Sequence, residues 1–474
     1  MSDISSAQPR VTVYVPSHDY GRYLDEALDS IAAQTLRDWE AIVIDDGSTD
    51  ETAAIAGRFR SRFADRVRVA RHDVARGLHA CANLAFSLAR GEYVMRLDAD
   101  DYLDENALLV LASYLDAHPE MDLVYPNYHY VDERGRHLGV ESRKKMGRDV
   151  ELLDLPAHGA CTLVRRRVLK AVGGFSETSN AQDGYELWLK VLQRHQARVG
   201  NVTTPLFYYR RHGTALSLDR DRILAARAQI KRDLVGRQQG PVKPRIAAII
   251  AAKNTYESAP NIVLQPCAGR PLIDYTVQGA LDTAMFDDVF VTTDDQKVVD
   301  YCARWPTVVS ERRAPGLSLP HVRFEAVVDH AVNRLERGYG VYPDIVVQLG
   351  VHTPLRRPEH IREALDTLLT YDCDSVVSVY EDLKLHFLHG PNGLEPLNPG
   401  MIRQLPLESE ALYVDNMAIH ALWRDVVRPD DLYGRLVGHV VMTWRDSVQA
   451  RSATELAIVE LLMQQRDAAG AASA

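Results

Sequence analysis

Apolar runs and helical repeats alternate along the first half of this chain. Strand-forming residues fill positions 10–16, 40–44 and 67–70, and a further strand begins at Tyr93. Between them, positions 23–34 and 80–88 show the apolar spacing of helices, and another helix begins near Glu51. Strands that alternate with helices predict a parallel, doubly wound α/β sheet.

The second half repeats the pattern. Buried strands are predicted at 246–251, 289–293, 345–349 and 375–379, with helices at 323–336 and 359–369. Between the halves, positions 236–244 contain two glycines and two prolines, which is typical of a linker. We therefore expect two nucleotide-binding-like domains at 1–235 and 244–474, joined by a linker at 236–243.

Composition excludes several classes of protein. A length of 474 residues predicts two or three domains, and the net charge of −10 argues against a nucleic-acid binder. No run of about 18 apolar residues predicts a membrane span, and the N-terminus lacks a signal core. The five cysteines are widely spaced without a C-x-x-C pair, so we expect reduced thiols in a cytoplasmic protein without structural zinc.

Carboxylates cluster where two of the predicted strands end. Asp45 and Asp46 follow the strand at 40–44, and Asp98, Asp100 and Asp101 follow the strand that begins at Tyr93. Like charges this close repel, and burial disfavours their ionised form. A divalent cation with hard oxygen ligands, Mg²⁺ or Mn²⁺, removes that cost, and alternation places Asp98 and Asp100 on one side of the chain.

The alternative is that these carboxylates only cap helices. Asp101 or Asp104 could cap the helix predicted at 106–115, and a D-x-D pattern alone is common. Two acidic strand ends in one sheet are a stronger signal, because ligands bind at the carboxyl ends of parallel strands.

Residues 10–215 resemble a family 2 glycosyltransferase of the GT-A type. The resemblance rests on motifs in the family's order: VPSHDYGRYL (15–24), SIAAQT (30–35), VIDDGSTD (43–50), GEYVMRLDADD (91–101), VGGF (172–175) and QDGYELWL (182–189). It implies a donor site for the base and ribose of a nucleotide sugar, formed by Pro16, Ser17, Asp19, Asp45 and Asp46.

The same resemblance implies the catalytic groups. Asp98 and Asp100 would hold the donor diphosphate through Mg²⁺ or Mn²⁺, and Asp183 would be the base that deprotonates the acceptor hydroxyl, with inversion at the anomeric carbon. The family's usual Glu before this base is Gln182 here. Arg211 or His212 could meet the diphosphate, or belong to a solvated loop.

The second half resembles the cytidylyltransferases that activate acidic sugars, such as the acylneuraminate enzymes. The matching pieces are IAAIIAAK (246–253), GRPLIDYT (269–276), DVFVTTDD (288–295), HTPLR (352–356), DSVVSV (374–379) and NMAIH (416–420). Nucleotide contacts would then come from Lys253, Asp294, Asp295 and Arg356.

Two features of that family are missing from this half. Its glycine-rich phosphate loop is replaced by KNTYESAPN (253–261), which keeps only Lys253 and no glycine. Its late metal-binding Asp-x-Asp is replaced by Gln449-Ala450-Arg451, and Asp446 lies nearby but shifted. This half is therefore either a degenerate copy or specific for another substrate, with Asp294, Asp295 or Asp446 as metal ligand.

Three functions follow from these patterns. The leading hypothesis is a metal-dependent inverting glycosyltransferase that uses a nucleotide-sugar donor and a glycan or glycoconjugate acceptor, presented in the cytoplasm or at the inner membrane face. In the second, the chain is bifunctional and its C-terminal half makes a CMP-activated acidic sugar. In the third, that half is a docking or dimerisation module through which the chain forms a homo-oligomer.

Overall fold

The structure is a computed structural model that describes residues 8–142, 159–176, 183–195, 198–213, 220–238, 243–255, 259–382, 384–397 and 412–473. The chain divides into two compact units, Met1–Ile230 (unit 1) and Lys231–Ala474 (unit 2). The division falls inside the helix Arg220–Gln238. Of the predicted linker, residues 239–242 lie outside the described part of the chain.

Unit 1 contains a mixed sheet. Its strands are β1 (Val11–Ser17), β2 (Trp39–Asp46), β3 (Val67–His72), β4 (Tyr93–Arg96), β5 (Tyr102–Leu103), β6 (Leu123–Val131), β7 (His137–Glu141), β8 (Leu163–Arg165) and β9 (Val199–Arg210). They are ordered β3-β2-β1-β4-β8-β6-β9-β5, and β7 pairs with β6. The predicted α/β class is confirmed, and β3-β2-β1-β4 is parallel. Beyond β4 the sheet becomes mixed, because β8 is antiparallel to both β4 and β6.

Helices cover this sheet and form its core. They are α1 (Gly21–Ala32), α2 (Thr52–Arg62), α3 (Leu78–Leu88), α4 (Ala107–Ala117), α5 (Arg166–Val172) and α6 (Asp183–His195). Helix α7 (Arg220–Gln238) follows and contains the division between the two units. Residues of α3, α5 and α6 pack in one apolar cluster with residues of β1, β2 and β4. Trp188 of α6 is 1% exposed and packs edge-on against Tyr125 of β6, so it is a core residue.

Unit 2 contains a second mixed sheet. Its strands are β10 (Ile246–Ala252), β11 (Pro266–Cys267), β12 (Arg270–Pro271), β13 (Asp288–Thr293), β14 (Val308–Arg312), β15 (Ile345–Leu349), β16 (Ser375–Asp382), β17 (Phe387–Gly390), β18 (Gly393–Pro396), β19 (Leu412–Trp423) and β20 (Val437–Val441). The main order is β14-β13-β10-β15-β19-β16-β20, and only β19 runs antiparallel to its neighbours. The helices are α8 (Leu272–Asp282), α9 (Gln296–Cys302), α10 (Phe324–Tyr339), α11 (Pro358–Tyr371) and α12 (Ala453–Ser473).

The structure also shows where the cysteines lie and how long and apolar the helices are. All five cysteines are buried, as small core residues are. None of the helices in the described ranges is long and apolar enough to cross a membrane.

Candidate active site

The carboxylates after β4 lie at the carboxyl edge of the parallel half of the sheet. Asp98 Oδ1 is 2.8 Å from Nε of Arg96, a side chain that is buried at the end of β4. Asp100 Oδ2 is 2.9 Å from Nε2 of His212, whose side chain is fully buried. Arg96 also donates to Asp98 Oδ2 at 3.2 Å, and the side chains of Asp98 and Asp100 keep 23% and 20% exposure.

Asp101 has a different environment. It is 2% exposed, and its Oδ1 accepts a hydrogen bond of 2.9 Å from the backbone N–H of Arg210. Burial, followed by the charges of Asp100 and Asp98, raises the pKa of Asp101 well above its ordinary value. Asp101 therefore shapes the loop, whereas Asp98 and Asp100 are the carboxylates of this cluster that keep contact with solvent.

Arg210, at the end of β9, bonds the backbone of the loop that carries Asp98 and Asp100. Its guanidinium is 2% exposed, and it donates to the carbonyls of Asp100 at 2.8 Å and Glu133 at 3.0 Å, and to the carboxylate of Glu26. Sequence reasoning selected the next two residues, Arg211 and His212, and missed Arg210. The feature that could have identified Arg210 is its position as a cation in a strand end that is otherwise rich in aromatic residues.

Arg211 and His212, the next two residues after Arg210, pack on aromatic rings. The Arg211 guanidinium lies 4.5 Å from the centroid of the Tyr130 ring. The His212 ring lies 5.7 Å from the Tyr20 ring and 5.2 Å from the Tyr23 ring, both from the start of α1. The predicted diphosphate contact by Arg211 stays a prediction.

The acidic end of β2 is bound tightly by the neighbouring loop. Asp46 is 5% exposed and accepts hydrogen bonds from His72 Nδ1 at 2.6 Å, from the Arg76 amide at 2.9 Å and from the Gly77 amide at 2.8 Å. Burial acts to raise the pKa of Asp46, but these donors outweigh it and hold the pKa below its ordinary value. Asp45 accepts from the Ser48 amide at 2.9 Å, and its other oxygen is 3.3 Å from Arg71.

The end of β1 adjoins the end of β2, because Pro16 pairs with Ile44 and Ser17 with Asp45. Asp19 follows with φ of 56°, the left-handed region that Asp tolerates better than most residues. Its Oδ1 accepts hydrogen bonds from the amides of Thr49 at 2.7 Å and Asp50 at 3.3 Å. Those amides, that of Thr49 foremost, lower the pKa of Asp19. Asp19 thus ties the loop after β1 to the loop after β2.

Asp183 is the first residue of α6, and its side chain lies outside the described part of the chain. The backbone of the next residue shows where the helix begins. A Cβ atom added to Gly159 would lie 2.6 Å from Cα of Gly184 and 3.4 Å from Nη2 of Arg96. Helix α6 therefore starts beside the guanidinium that pairs with Asp98, although 85 positions separate Asp98 from Asp183 in sequence.

Asp46, His72 and Cys81 are also close enough to be considered as a metal site, since one ligand atom from each lies within 4.8 Å of the others. Two ligands about 2.0–2.1 Å from one tetrahedral ion would be about 3.3 Å apart. The 2.6 Å between Asp46 and His72 is instead a hydrogen-bond distance, and both Asp46 oxygens accept backbone amides. This cluster is explained by hydrogen bonding.

In unit 2, the two predicted aspartates anchor the loop that follows β10. Asp294 accepts from the amide of Asn254 at 2.8 Å, and Asp295 accepts from Asn254 Nδ2 at 2.8 Å. Asp295 also caps α9 through the Lys297 amide at 2.9 Å. Asn254 is 1% exposed and accepts in turn from the amide of Val263, so a buried asparagine links the start of this segment to the residues around Val263.

The two predicted cations of unit 2 bond to backbone carbonyls. Lys253 donates to the carbonyl of Ser318 at 2.7 Å. Arg356 is 6% exposed and donates to the carbonyls of Gly350 at 2.9 Å and Ala418 at 2.7 Å. Burial lowers the pKa of the Arg356 guanidinium to about 9.

The segment before α12 carries an amide and a cation. Gln449 donates to the carbonyl of Asn416 at 2.8 Å, and the backbone N–H of Arg451 donates to Glu455 at 2.9 Å. Asp446 accepts from Thr443 at 2.9 Å and from Arg357 at 3.2 Å. The carboxylate nearest to this segment in sequence is thus engaged by its neighbours.

Comparisons with known proteins agree with the motifs. Residues 12–173 match the model of glycosyl transferase family 2, residues 93–269 that of glycosyl transferase family group 2, and residues 247–387 that of a cytidylyltransferase family. O-antigen biosynthesis protein RfbC of Myxococcus xanthus is 30% identical over 217 residues, which are 45% of this chain and 17% of that protein. Glycosyltransferase GlyG of Streptococcus pneumoniae is 35% identical over 123 residues, which are 26% of this chain and 40% of that protein.

The chain spans less than half the length of these curated relatives. Among solved structures, a mannosyltransferase of Pyrobaculum calidifontis in complex with GDP-Man and Mn²⁺ superposes with a TM-score of 0.40 at 23% identity, covering 50% of this chain and 67% of the other. The two family matches follow one another along the chain, glycosyl transferase family 2 at 12–173 and cytidylyltransferase at 247–387, which is the fusion that its motifs predict.

Proposed function

We propose that unit 1 is a metal-dependent, inverting glycosyltransferase that moves a sugar from a nucleotide-diphosphate donor to an acceptor hydroxyl in glycan assembly. One observation carries the proposal. Two partly exposed carboxylates, Asp98 and Asp100, lie at the carboxyl edge of a parallel sheet, and the helix that begins with Asp183 starts beside the guanidinium paired with Asp98.

The carboxylates of the proposed site fit a hard divalent cation. Asp98 and Asp100 supply partly exposed carboxylate oxygens, and these are the ligands that Mg²⁺ and Mn²⁺ prefer. When bound, the cation would neutralise charge on the nucleoside diphosphate leaving group. Arg96 and His212 orient the two carboxylates, and the charge of Arg96 limits the repulsion between them before any ligand arrives.

The donor nucleotide is proposed to bind at the adjoining ends of β1 and β2. Pro16 and Ser17 of β1 lie in register with Ile44 and Asp45 of β2, which places the polar residues Ser17 and Asp45 side by side. In this proposal Asp45 faces the base or ribose, whereas Asp19 and Asp46 order the surrounding loops through their backbone hydrogen bonds. Arg211 is proposed to meet the diphosphate.

Asp183 is proposed as the general base. The positive end of the helix dipole favours a negative charge at the start of a helix, which supports a carboxylate there as the group that accepts the acceptor's proton. The proton of the acceptor hydroxyl passes to Asp183 as the oxygen attacks the anomeric carbon. The bond from that carbon to the diphosphate breaks on the opposite face, and the configuration is inverted.

The test is a transfer assay with the full chain, a panel of UDP- and GDP-sugars and candidate acceptors. We expect nucleoside diphosphate release that needs Mg²⁺ or Mn²⁺ and is lost in Asp100→Ala. Asp65→Ala is the matched control, because Asp65 is an exposed aspartate that lies outside the proposed site. Full turnover in excess chelator, or equal loss in both variants, would contradict the proposal.

For unit 2 we propose that triphosphate transfer is absent and that the unit acts as a docking or dimerisation module. Asp294 and Asp295 anchor Asn254, and Arg356 and Lys253 donate to carbonyls. Removing one electrostatic stabiliser from an active site typically costs about 2.7–4 kcal/mol of barrier, and two family features are missing here.

The experiment for unit 2 measures pyrophosphate released from CTP by the full chain with sialic acid and related acidic sugars. No release above background is expected. Formation of a CMP conjugate with any of these acids would overturn the proposal and favour the bifunctional enzyme.

A further inference from the structure

Three residues of unit 1, Gly174–Ser176, have their backbone held by side chains from two helices. We call them the anchored segment. From α3, Asn83 bonds both the N–H and the C=O of Phe175, at 2.8 and 3.1 Å, and His79 Nδ1 bonds the C=O of Ser176 at 2.6 Å. From α6, Glu186 accepts from the N–H of Ser176 at 2.9 Å, and Lys190 donates to the C=O of Gly174.

Three of these four side chains are ionisable and buried. The side chains of Glu186 and Lys190 are 3% exposed and form an ion pair, and that of His79 is 1% exposed and 3.5 Å from Glu186. Burying such groups is costly, and an apolar replacement is often equally stable or more so. Within the described part of the chain, His79 Nε2 and Glu186 Oε2 also find no hydrogen-bond partner. Stability alone therefore does not account for this cluster.

The glycine at the start of the anchored segment lies in close contact with one of these side chains. Gly174 has φ of +73°, and a Cβ atom there would lie 2.6 Å from Oδ1 of Asn83. Only glycine lets the backbone approach Asn83 this closely in this conformation. The segment is thus fitted to its anchors by backbone shape as well as by hydrogen bonds.

The anchors connect the two sides of the proposed active site. Helix α3 begins at Leu78, directly after Arg76 and Gly77, whose amides bind Asp46 at the end of β2. Helix α6 begins with Asp183, and Glu186 lies one turn further along it. The anchored segment is therefore bonded to a helix fixed at the donor end of the sheet and to the helix that carries the proposed base.

We propose that Glu186, together with Lys190 and His79, is a positioning residue that fixes the start of α6 relative to the donor site. It touches neither donor nor acceptor and acts through Asp183. This inference rests on the proposed glycosyl transfer. A displacement of about 1 Å at a reacting group can cost about 100-fold in rate, so loosening this cluster would slow the chemical step without weakening donor binding.

Glu186→Gln is the first test, because it keeps the shape of the side chain and removes its charge. We expect kcat to fall at least 10-fold, while KM for the donor and its Kd, measured by calorimetry, stay within twofold. The matched control is Glu40→Gln, which removes the charge of another buried glutamate, one that pairs with Arg68 and Arg90 at the far end of β2. That control should change stability with little effect on kcat.

A double variant separates positioning from a merely structural role. If Glu186 acts through Asp183, Glu186→Gln combined with Asp183→Asn should be no slower than Asp183→Asn alone. Fully additive losses, or a kcat loss in Glu186→Gln no greater than that in Glu40→Gln, would overturn the proposal. Should Glu186→Gln fail to fold, Asn83→Ala takes its place with the same expectation.

Hydrogen exchange gives a readout that does not depend on activity. In Glu186→Gln we expect faster exchange of the amides at 183–190, with the amides of α4 unchanged. If wild-type protein transfers no sugar from any donor, the proposed function fails, and exchange still tests the anchoring. Unchanged exchange at 183–190 in an active enzyme would refute the anchoring alone.

Discussion

Replacing Arg210 by Met should loosen the loop that carries Asp98 and Asp100. The change removes a buried guanidinium and keeps an unbranched apolar side chain that replaces the stem of Arg210 as far as Nε. Two charge-assisted hydrogen bonds to the carbonyls of Asp100 and Glu133 are lost, at about 1.5–3 kcal/mol each before solvent replaces part of them. The carboxylate of Glu26 is half exposed, so the loss of its ion pair with Arg210 adds little to the destabilisation.

The expected net loss is about 3 kcal/mol of local stability. Water can replace the lost hydrogen bond at the exposed Glu133 more easily than the one at Asp100, so most of the loss falls on the loop at Asp100. At 1.4 kcal/mol for each factor of ten, the loop should open about 100-fold more often. Hydrogen exchange of the amides at 97–103, followed by mass spectrometry on the full chain, measures this opening directly. The affinity for Mn²⁺, titrated in parallel, should fall as well.

Arg136→Met is the matched control for this experiment. Arg136 also bonds a carboxylate, that of Asp132, but its side chain is 76% exposed, so its loss should cost less than about 1 kcal/mol. The reasoning is refuted if exchange at 97–103 in Arg210→Met stays at the level of the Arg136→Met control.

Three further predictions concern the metal, the base and pH. Asp100→Ala should abolish transfer and Mn²⁺ binding with the fold intact, whereas Cys81→Ala should leave the Mn²⁺ titration unchanged; a shifted titration in Cys81→Ala would restore the Asp46 cluster as a metal site. Asp183→Asn should keep donor binding and lose roughly two to four orders of magnitude in kcat, and weaker donor binding at unchanged turnover would move Asp183 into the donor site. Burial lowers the pKa of His420 in unit 2 from 6.5 to about 4, so the unfolded chain takes up this proton first and about 3 kcal/mol of stability is lost as the pH falls from 6.5 to 4. Unfolding of unit 2 followed against pH should show this loss in wild type and a flatter profile in His420→Asn, and equal slopes would contradict it.

Much of the fold followed from local pattern. The predicted strands at 10–16, 40–44 and 67–70 correspond to β1, β2 and β3, with ends that differ by a few residues. Alternation along a strand and helical spacing are local properties, so they can be read without knowing what packs against them. The antiparallel strand β8 was not predicted, because a three-residue strand has too little periodicity to detect.

The sequence also placed acidic groups at the correct strand ends, since the position of a residue after a strand is again local. It could not assign their partners. Asp46 reads as one more ligand-binding carboxylate, yet its hydrogen bonds come from three residues 26 to 31 positions later. Asp294 and Asp295 follow β13 as predicted, and only the fold brings Asn254 against them.

By itself, then, the sequence determined the α/β class, the two successive halves, the family motifs and the strand ends that carry charge. Tertiary structure alone decided which partner each of those charges has and how much of it is exposed. Arg210 contacts Glu26 across 184 positions, and the start of α6 meets Arg96 through Gly159. Such contacts depend on how the sheet orders its strands, and chain-local propensities carry no information about that order, so the partly exposed carboxylates could be separated from the buried ones only in three dimensions.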